Sequence, residues 1–267
     1  MTDAANLQHR ARKRFGQNFL HDRRVIERIV DAIEPRRDEA IVEIGPGQAA
    51  LTRELVRRAG HITAIEIDRD LAGWLRAQFT PAELTLIEAD ALKLDWAALA
   101  SRPLRVVGNL PYNISSPLLF RLVECADRVI DQHFMLQKEV VDRMVAPPGS
   151  KTYGRLSVML QVRYRMTKLF DVPRGAFNPP PKVTSSIVRM VPKAANELPE
   201  IDLPLFGRVV AAAFNQRRKI LRNALGDLAG DGVFSTASVD PLARAETLGV
   251  DDFVRLTRAI GDVPPAG

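Results

Sequence analysis

Ala40-Ile41-Val42-Glu43-Ile44-Gly45-Pro46-Gly47 is the stretch from which the fold is read. Its first five residues are an apolar run with a single acid, as a parallel strand buried on both faces requires. Gly45-Pro46-Gly47-Gln48-Ala49-Ala50 follows as a turn. A helix is expected next, from about Leu51 to Ala59, with Gly60 as its C-cap. Strand, glycine turn and helix form the repeating unit of an α/β sheet. Such a turn lets a ligand approach the backbone and the helix N-terminus. Gly45, Gly47 and Ala50 also satisfy the G-x-G-x-x-A form of a nicotinamide-binding fingerprint, so at this point a hydride-transfer enzyme is a competing reading.

Downstream, the same unit repeats. Ile62-Thr63-Ala64-Ile65 reads as a second strand and ends in Glu66-Ile67-Asp68. Glu66 lies nineteen positions after Gly47, where a carboxylate can take both hydroxyls of an adenosine ribose. Asp68 is the expected N-cap of the next helix, which runs to Phe79 before Pro81. Leu84-Thr85-Leu86-Ile87 is a third strand, followed by Glu88-Ala89-Asp90-Ala91, and Asp90 can accept from an adenine amino group. A turn residue explains each strand end singly, but the series Gly45/Gly47, Glu66 and Asp90 points to a nucleoside-like cofactor.

Leu104-Arg105-Val106-Val107 is the fourth strand and leads into Asn109-Leu110-Pro111-Tyr112. A helix is expected over Leu118 to Val123, with Ser116 as N-cap and Pro117 in its first turn. Loops at the carboxyl ends of strands are where ligands bind in open α/β sheets. The four residues suit a flipped base. The Asn109 side-chain oxygen and the Leu110 carbonyl can accept two N–H bonds from one exocyclic amine. Pro111 fixes the loop, and Tyr112 offers a stacking face. Read alone, Asn and Pro simply make a turn.

Further along, His133 to Leu136 reads as a strand, Lys138 to Val145 and Tyr153 to Arg163 as helices, and Arg165 to Phe170 as a strand. Phe177-Asn178-Pro179-Pro180-Pro181-Lys182-Val183 is stiff and extended. It leads to a closing strand over Ser186 to Met190. Phe177 is a candidate second stacking face for the base, with core packing as the equal alternative.

Upstream, residues 1–14 form a basic tail, either solvated or touching phosphate, and a helix capped by Asp22 ends before Pro35. Composition shifts after Pro192. An α/β domain over 1–195 and a helical domain over 196–267 are therefore expected. Leu203 to Asn215 and Gln216 to Leu228 read as two helices, and Asp251 to Ile260 as a last one. Between Leu203 and Gly226 stand Arg208, Arg217, Arg218, Lys219 and Arg222 and no acid, a pattern that favours phosphate contact over a solvated face.

At 267 residues and 46% hydrophobic, the chain can bury a large core. Its formal net charge of +6 suits a polyanionic partner. Cys125 is the single cysteine, so no internal disulfide forms, and four scattered histidines show no metal-ligand spacing. No metal is expected. No long apolar span or signal-peptide core is present, and a cytoplasmic location without membrane contact is expected.

In order along the chain, Phe15-Gly16-Gln17-Asn18-Phe19-Leu20, Glu43-Ile44-Gly45-Pro46-Gly47, Ile65-Glu66-Ile67-Asp68, Asn109-Leu110-Pro111-Tyr112-Asn113-Ile114-Ser115, Leu136-Gln137-Lys138-Glu139-Val140 and Phe177 to Val183 jointly resemble the ribosomal RNA adenine N6-dimethyltransferase family. The small-subunit branch fits best. The Leu110 form of the motif and Phe214-Asn215-Gln216-Arg217-Arg218-Lys219 argue against the sister branch that acts on large-subunit RNA. The resemblance implies a Rossmann-like class I methyltransferase sheet of seven strands with a small all-α C-terminal domain, and S-adenosylmethionine rather than a dinucleotide. It implies that Asn18 and Leu20 close over the cofactor, that Gly45 and Gly47 approach it, that Glu66 and Ile67 take the ribose side and that Asp90 and Ala91 take the adenine. Asn109, Leu110, Pro111 and Tyr112 are then the catalytic loop. Tyr112, Phe177, Arg217, Arg218, Lys219 and Arg222 are the substrate contacts. The partner implied is small-subunit rRNA in an assembling ribosomal subunit, met by a monomer. Ala49 stands where many methyltransferases have a third glycine.

Overall fold

The computed structural model describes residues 17–99, 103–111, 114–216 and 218–262, without the side chains at 97 and 231. The readings made for the basic tail, Tyr112 and Arg217 lie outside these residues. The chain forms two units. Of the described residues, one unit holds those up to Val141 and Thr167–Pro192, the other Asp142–Met166 and those from Lys193 on. This differs from a single boundary at 195, because a middle segment contributes its apolar side chains to the second unit's core.

In chain order, the first unit opens with β1 (Phe19–Leu20), α1 (Arg23–Ile33), β2 (Ala40–Ile44), α2 (Ala50–Ala59), β3 (Ile62–Glu66), α3 (Arg69–Gln78) and β4 (Leu84–Glu88). It continues through α4 (Trp96–Leu99), β5 (Leu104–Asn109), α5 (Ser115–Val123) and β6 (Val129–Gln137). The chain then passes along α6 (Lys138–Met144) and α7 (Arg155–Gln161) and returns on β7 (Tyr164–Val172), β8 (Phe177–Asn178) and β9 (Ser185–Pro192). Seven strands make one sheet in the order β4-β3-β2-β5-β6-β9-β7. The pairs β3–β4, β2–β3, β2–β5 and β5–β6 are parallel, and β9 runs antiparallel to β6. From β2 the chain builds outward through β3 and β4 on one side, and through β5 and β6 on the other. The crevice above β2 and β5 is thus the switch point at which such sheets bind ligands.

Local chemistry sets these elements. Asp22 caps α1 by accepting from the Arg24 and Val25 amides, a contact worth about 1 kcal/mol. Ile26, Ile29, Val30 and Ile33 then bury one helical stripe. α5 departs from expectation. Ile114, not Ser116, occupies the N-cap and makes no side-chain cap bond. The Ile114 amide donates instead to the Pro111 carbonyl at 3.2 Å, and this turn starts the helix early, at Ser115. Pro117 sits in the first turn, where its missing N–H costs nothing. At the amino ends of β5 and β6, Arg105 grips both oxygens of Asp131 at 2.8 Å and Glu39 at 2.9 Å. Removing one partner of so buried a pair typically costs about 3–5 kcal/mol, so this fork holds the register of β5 against β6.

The second unit completes with α8 (Leu203–Asn215), α9 (Leu221–Leu225), α10 (Asp231–Ala237) and α11 (Val250–Gly261). Its core joins Val158, Val162, Phe206, Val209, Phe253 and Leu256. Phe214 stacks on Phe253 at 5.6 Å. The single helix expected over Gln216 to Leu228 is not formed. Ile220 is extended, and the Leu221 and Arg222 amides donate to the carbonyls of Ala243 and Pro241, so tertiary bonds override helix continuation. α10 was not expected from the sequence.

Candidate active site

β2 ends at Ile44 and the chain turns through Gly45 (φ 67°) and Gly47 (φ 55°), both in the left-handed region that glycine enters without strain. Ala49 adopts φ 61° as well, a conformation that costs a residue with a Cβ roughly 1–2 kcal/mol. The third-glycine position therefore keeps glycine-like backbone geometry with alanine in it. Above this turn lies a cavity of about 250 Å³, lined wholly from the first unit.

β3 delivers Glu66 to the cavity. One of its oxygens accepts from the Gly47 amide at 3.2 Å and the other from the Asp68 amide at 2.9 Å. The carboxylate thereby fixes the glycine turn. Burial holds its pKa above the usual carboxylate value. Asp68 caps α3 through the Asp70 amide, as expected. Ile67 stays 47% exposed although it lines the cavity, an apolar rim beside the carboxylate. Past β4, Asp90 and Ala91 line the same cavity. Asp90 closes its loop by accepting from the Leu92 amide at 3.0 Å.

β5 delivers Asn109, Leu110 and Pro111. The Leu110 side chain is 1% exposed and its amide donates to the Met135 carbonyl at 3.2 Å, so the loop is anchored from below. The Asn109 side-chain amide donates to the Asn18 carbonyl at 3.1 Å, which leaves its oxygen as the acceptor. The amino-terminal segment forms the remaining wall. Gln17 donates to Asp68 at 3.3 Å, and a Cβ on Gly47 would meet the Phe19 ring at 3.2 Å. β1 pairs with β8, Leu20 facing Phe177 in register.

Asn18, Leu20, Gly45, Gly47, Glu66, Ile67, Asp90, Ala91, Asn109, Leu110 and Pro111 are thus brought to one place. Phe177 is not. Its ring is 2% exposed within the core beside Leu20 and Val172, so in this structure it packs rather than offering a stacking face. Arg218, Lys219 and Arg222 lie exposed in the second unit.

The sequence profile described as ribosomal RNA adenine dimethylase matches residues 8–262. The chain belongs to that family. A ribosomal RNA small subunit methyltransferase A of Bordetella petrii is 59% identical over 260 residues, covering 96% of this chain and 99% of that protein. Among solved structures, a dimethyladenosine transferase from Plasmodium falciparum superposes with a TM-score of 0.77 at 25% identity, covering 89% of this chain and 95% of that one. The 23S rRNA methyltransferase ErmE gives 0.69 at 28% identity, covering 92% of this chain and 100% of that one. The fold expected from the strand-end series is that of this family.

The sequence assigned no site role to Gln17, Phe19 or Glu43, which also line the cavity. Glu43 is 2% exposed, and its Oε2 accepts no hydrogen bond among the described residues. Burial, with the Glu66 charge nearby adding, pushes its carboxyl up to about 7. The signal for it was present: one acid inside an otherwise apolar buried strand has no packing reason to be there.

Proposed function

We propose that this chain is an S-adenosylmethionine-dependent rRNA methyltransferase that dimethylates N6 of two adjacent adenosines in a loop near the 3' end of small-subunit rRNA, acting on the assembling subunit. The observation that carries the reading is the convergence of four successive strand ends on one cavity, with an oriented amide acceptor, Asn109, at its edge. For the small-subunit branch the support is the 59% identity to the Bordetella petrii enzyme, against 28% to ErmE.

The residues present fit the cofactor. The glycine turn allows close backbone approach, and Glu66 stands where ribose hydroxyls are taken. Ile67 offers an apolar face, and Glu43 stands in the cavity lining. When bound, S-adenosylmethionine supplies a methyl group already activated for transfer. Among the described residues no group of three or more His, Cys, Asp or Glu could hold a metal.

Adenine N6 is a poor nucleophile because its lone pair is delocalised into the ring. The Asn109 oxygen and the Leu110 carbonyl hold that amine out of plane and aim its lone pair into the cavity. Catalysis is then positioning and electrostatic stabilisation by these acceptors. The amine loses its proton after becoming positively charged, so no general base is assigned. The adenine has to leave its stack to reach Asn109. Exposed Arg218, Lys219 and Arg222 supply phosphate contact.

Mass spectrometry of nuclease-digested RNA tests the reading, after exhaustive reaction with unmethylated small subunits. Dimethyladenosine at two neighbouring positions is the expected product. Monomethyladenosine alone, or modification of large-subunit RNA instead, would show that the wrong branch has been chosen.

A further inference from the structure

The loop that follows β4 carries three residues of the cavity lining, Asp90, Ala91 and Leu92. Backbone bonds tie it at both ends. The Ala89 amide donates to the Glu66 carbonyl at 3.1 Å, and the Lys93 amide to the Asp90 carbonyl at 2.9 Å. Asp90 Oδ1 accepts from the Leu92 amide at 3.0 Å. Beyond the loop stands α4, a helix of four residues, too short to hold itself by propensity. Its first residue, Trp96, is nevertheless 4% exposed. The Trp96 indole N–H donates to the Ala91 carbonyl at 3.1 Å.

Two of these bonds meet on one peptide group. The carbonyl of Ala91 and the amide N–H of Leu92 are the two ends of a single planar unit, pointing in opposite directions. Trp96 holds the oxygen end, and the nitrogen end holds Asp90 Oδ1. Rotation of that plane would turn the Asp90 carboxylate, and the indole resists it. A carbonyl that accepts a hydrogen bond also polarises its own amide, which makes the N–H a stronger donor. Burial alone requires only that the indole find some acceptor. The acceptor it takes is the one carbonyl that shares a peptide with the amide bound to Asp90.

With Oδ1 engaged, Oδ2 of Asp90 has no hydrogen-bond partner among the described residues, on a side chain that belongs to the cavity lining. A carboxylate oxygen accepts and does not donate. It fits the amino group of a 6-aminopurine and opposes the carbonyl of a 6-oxopurine.

We propose that Trp96 is a positioning residue for purine recognition. Through the Ala91–Leu92 peptide it aims Asp90, and so makes the site prefer adenine to hypoxanthine in the bound nucleoside. Trp96 acts from behind the wall, since it does not itself line the cavity. The inference rests on the cofactor reading above and adds the residue that sets the base preference.

The test compares calorimetric affinities of the full chain for S-adenosylhomocysteine and S-inosylhomocysteine, which differ at position 6 of the purine. The unaltered chain is expected to favour the adenine compound by at least roughly tenfold, as for one hydrogen bond to a charged group. Trp96→Phe keeps an aromatic ring and removes the N–H. It is expected to narrow the preference several-fold, chiefly by weakening the adenine compound. Asp90→Asn is expected to lose the preference, because an amide can serve either purine. In that background Trp96→Phe should change the ratio no further. A tryptophan that only fills space predicts an unchanged ratio, with both ligands weakened alike or neither. That result, or equal affinity of the unaltered chain for the two ligands, overturns the inference while leaving the cofactor reading standing. The Trp96 indole N–H resonance, told from that of Trp74 with Trp74→Phe, reads the contact without altering Trp96. It is expected to move on binding S-adenosylhomocysteine and to move less with the inosine counterpart, and equal movement overturns the inference. If neither ligand binds the unaltered chain, the cofactor reading falls and takes this inference with it.

Discussion

The side-chain amide of Asn109 donates to the backbone carbonyl of Asn18, 3.1 Å away and 91 positions earlier in the chain. One end of the amide is thereby occupied, and the oxygen is the end left for a substrate. Asn109→Ala is expected to keep cofactor affinity within a few-fold while slowing methyl transfer by at least roughly a hundredfold, as for loss of one preorganised polar contact. Single-turnover rates beside calorimetry decide it. Near-normal turnover would reduce the motif to a turn.

Glu66→Ala is expected to weaken S-adenosylmethionine binding by about 1.5–3 kcal/mol, roughly ten- to a hundredfold. The carboxylate also fixes the Gly47 amide, so its loss loosens the turn as well. Unchanged affinity by calorimetry would sink the assignment.

Glu43 carries a pH dependence of definite sign. Its folded pKa of about 7 lies above the ordinary carboxylate value of 4.5. Between those values the folded state holds a proton that the unfolded state has released. Stability therefore falls as pH rises through that window, by up to about 3 kcal/mol. Glu43→Gln is expected to remove this contribution to the slope and to leave the ligand-free protein more stable than the unaltered chain at pH 8. Denaturant titrations of both proteins across pH 5–8 measure it. Parallel curves would mean that Glu43 does not titrate there.

Gly108 and Gly73 are predicted to respond to alanine with opposite signs. A Cβ on Gly108 would lie 2.7 Å from the Ile44 carbonyl oxygen, forcing β2 and β5 apart. Gly108→Ala should cost about 1–3 kcal/mol. Gly73 lies within α3 with nothing within 4 Å of its Cβ position. Gly73→Ala should gain about 0.5–1 kcal/mol. Thermal unfolding midpoints check both.

The strand ends were legible because each follows an apolar run whose period and stop are local. Ala40–Ile44 and Leu203–Asn215 fall where expected. β1 and β8 were not legible. They are two residues each, too short for any period, and exist only because distant segments pair. The wall made by Gln17 and Phe19 was hidden for the same reason. The break before α9 depends on acceptors 19 and 22 positions downstream, at Pro241 and Ala243, which no window of propensity contains. Phe177 shows the limit for aromatics: its sequence context fits a stacking face and a core residue alike, and only burial separates them.

Because the chain leaves the first unit at Asp142 and re-enters it at Thr167, neither unit is a contiguous piece of sequence. A fragment ending at Pro192 would still carry Tyr153, Val158 and Val162, whose core partners Phe206, Val209 and Phe253 would be gone. Such a fragment exposes apolar surface and is set to aggregate rather than to report on the sheet alone. A clean excision needs residues 142–166 replaced by a short polar connector as well. The same interleaving means that, during synthesis, β7 and β9 emerge before the second unit's core can close. The sheet can thus be complete while the 142–166 excursion still waits for the helices beyond Lys193.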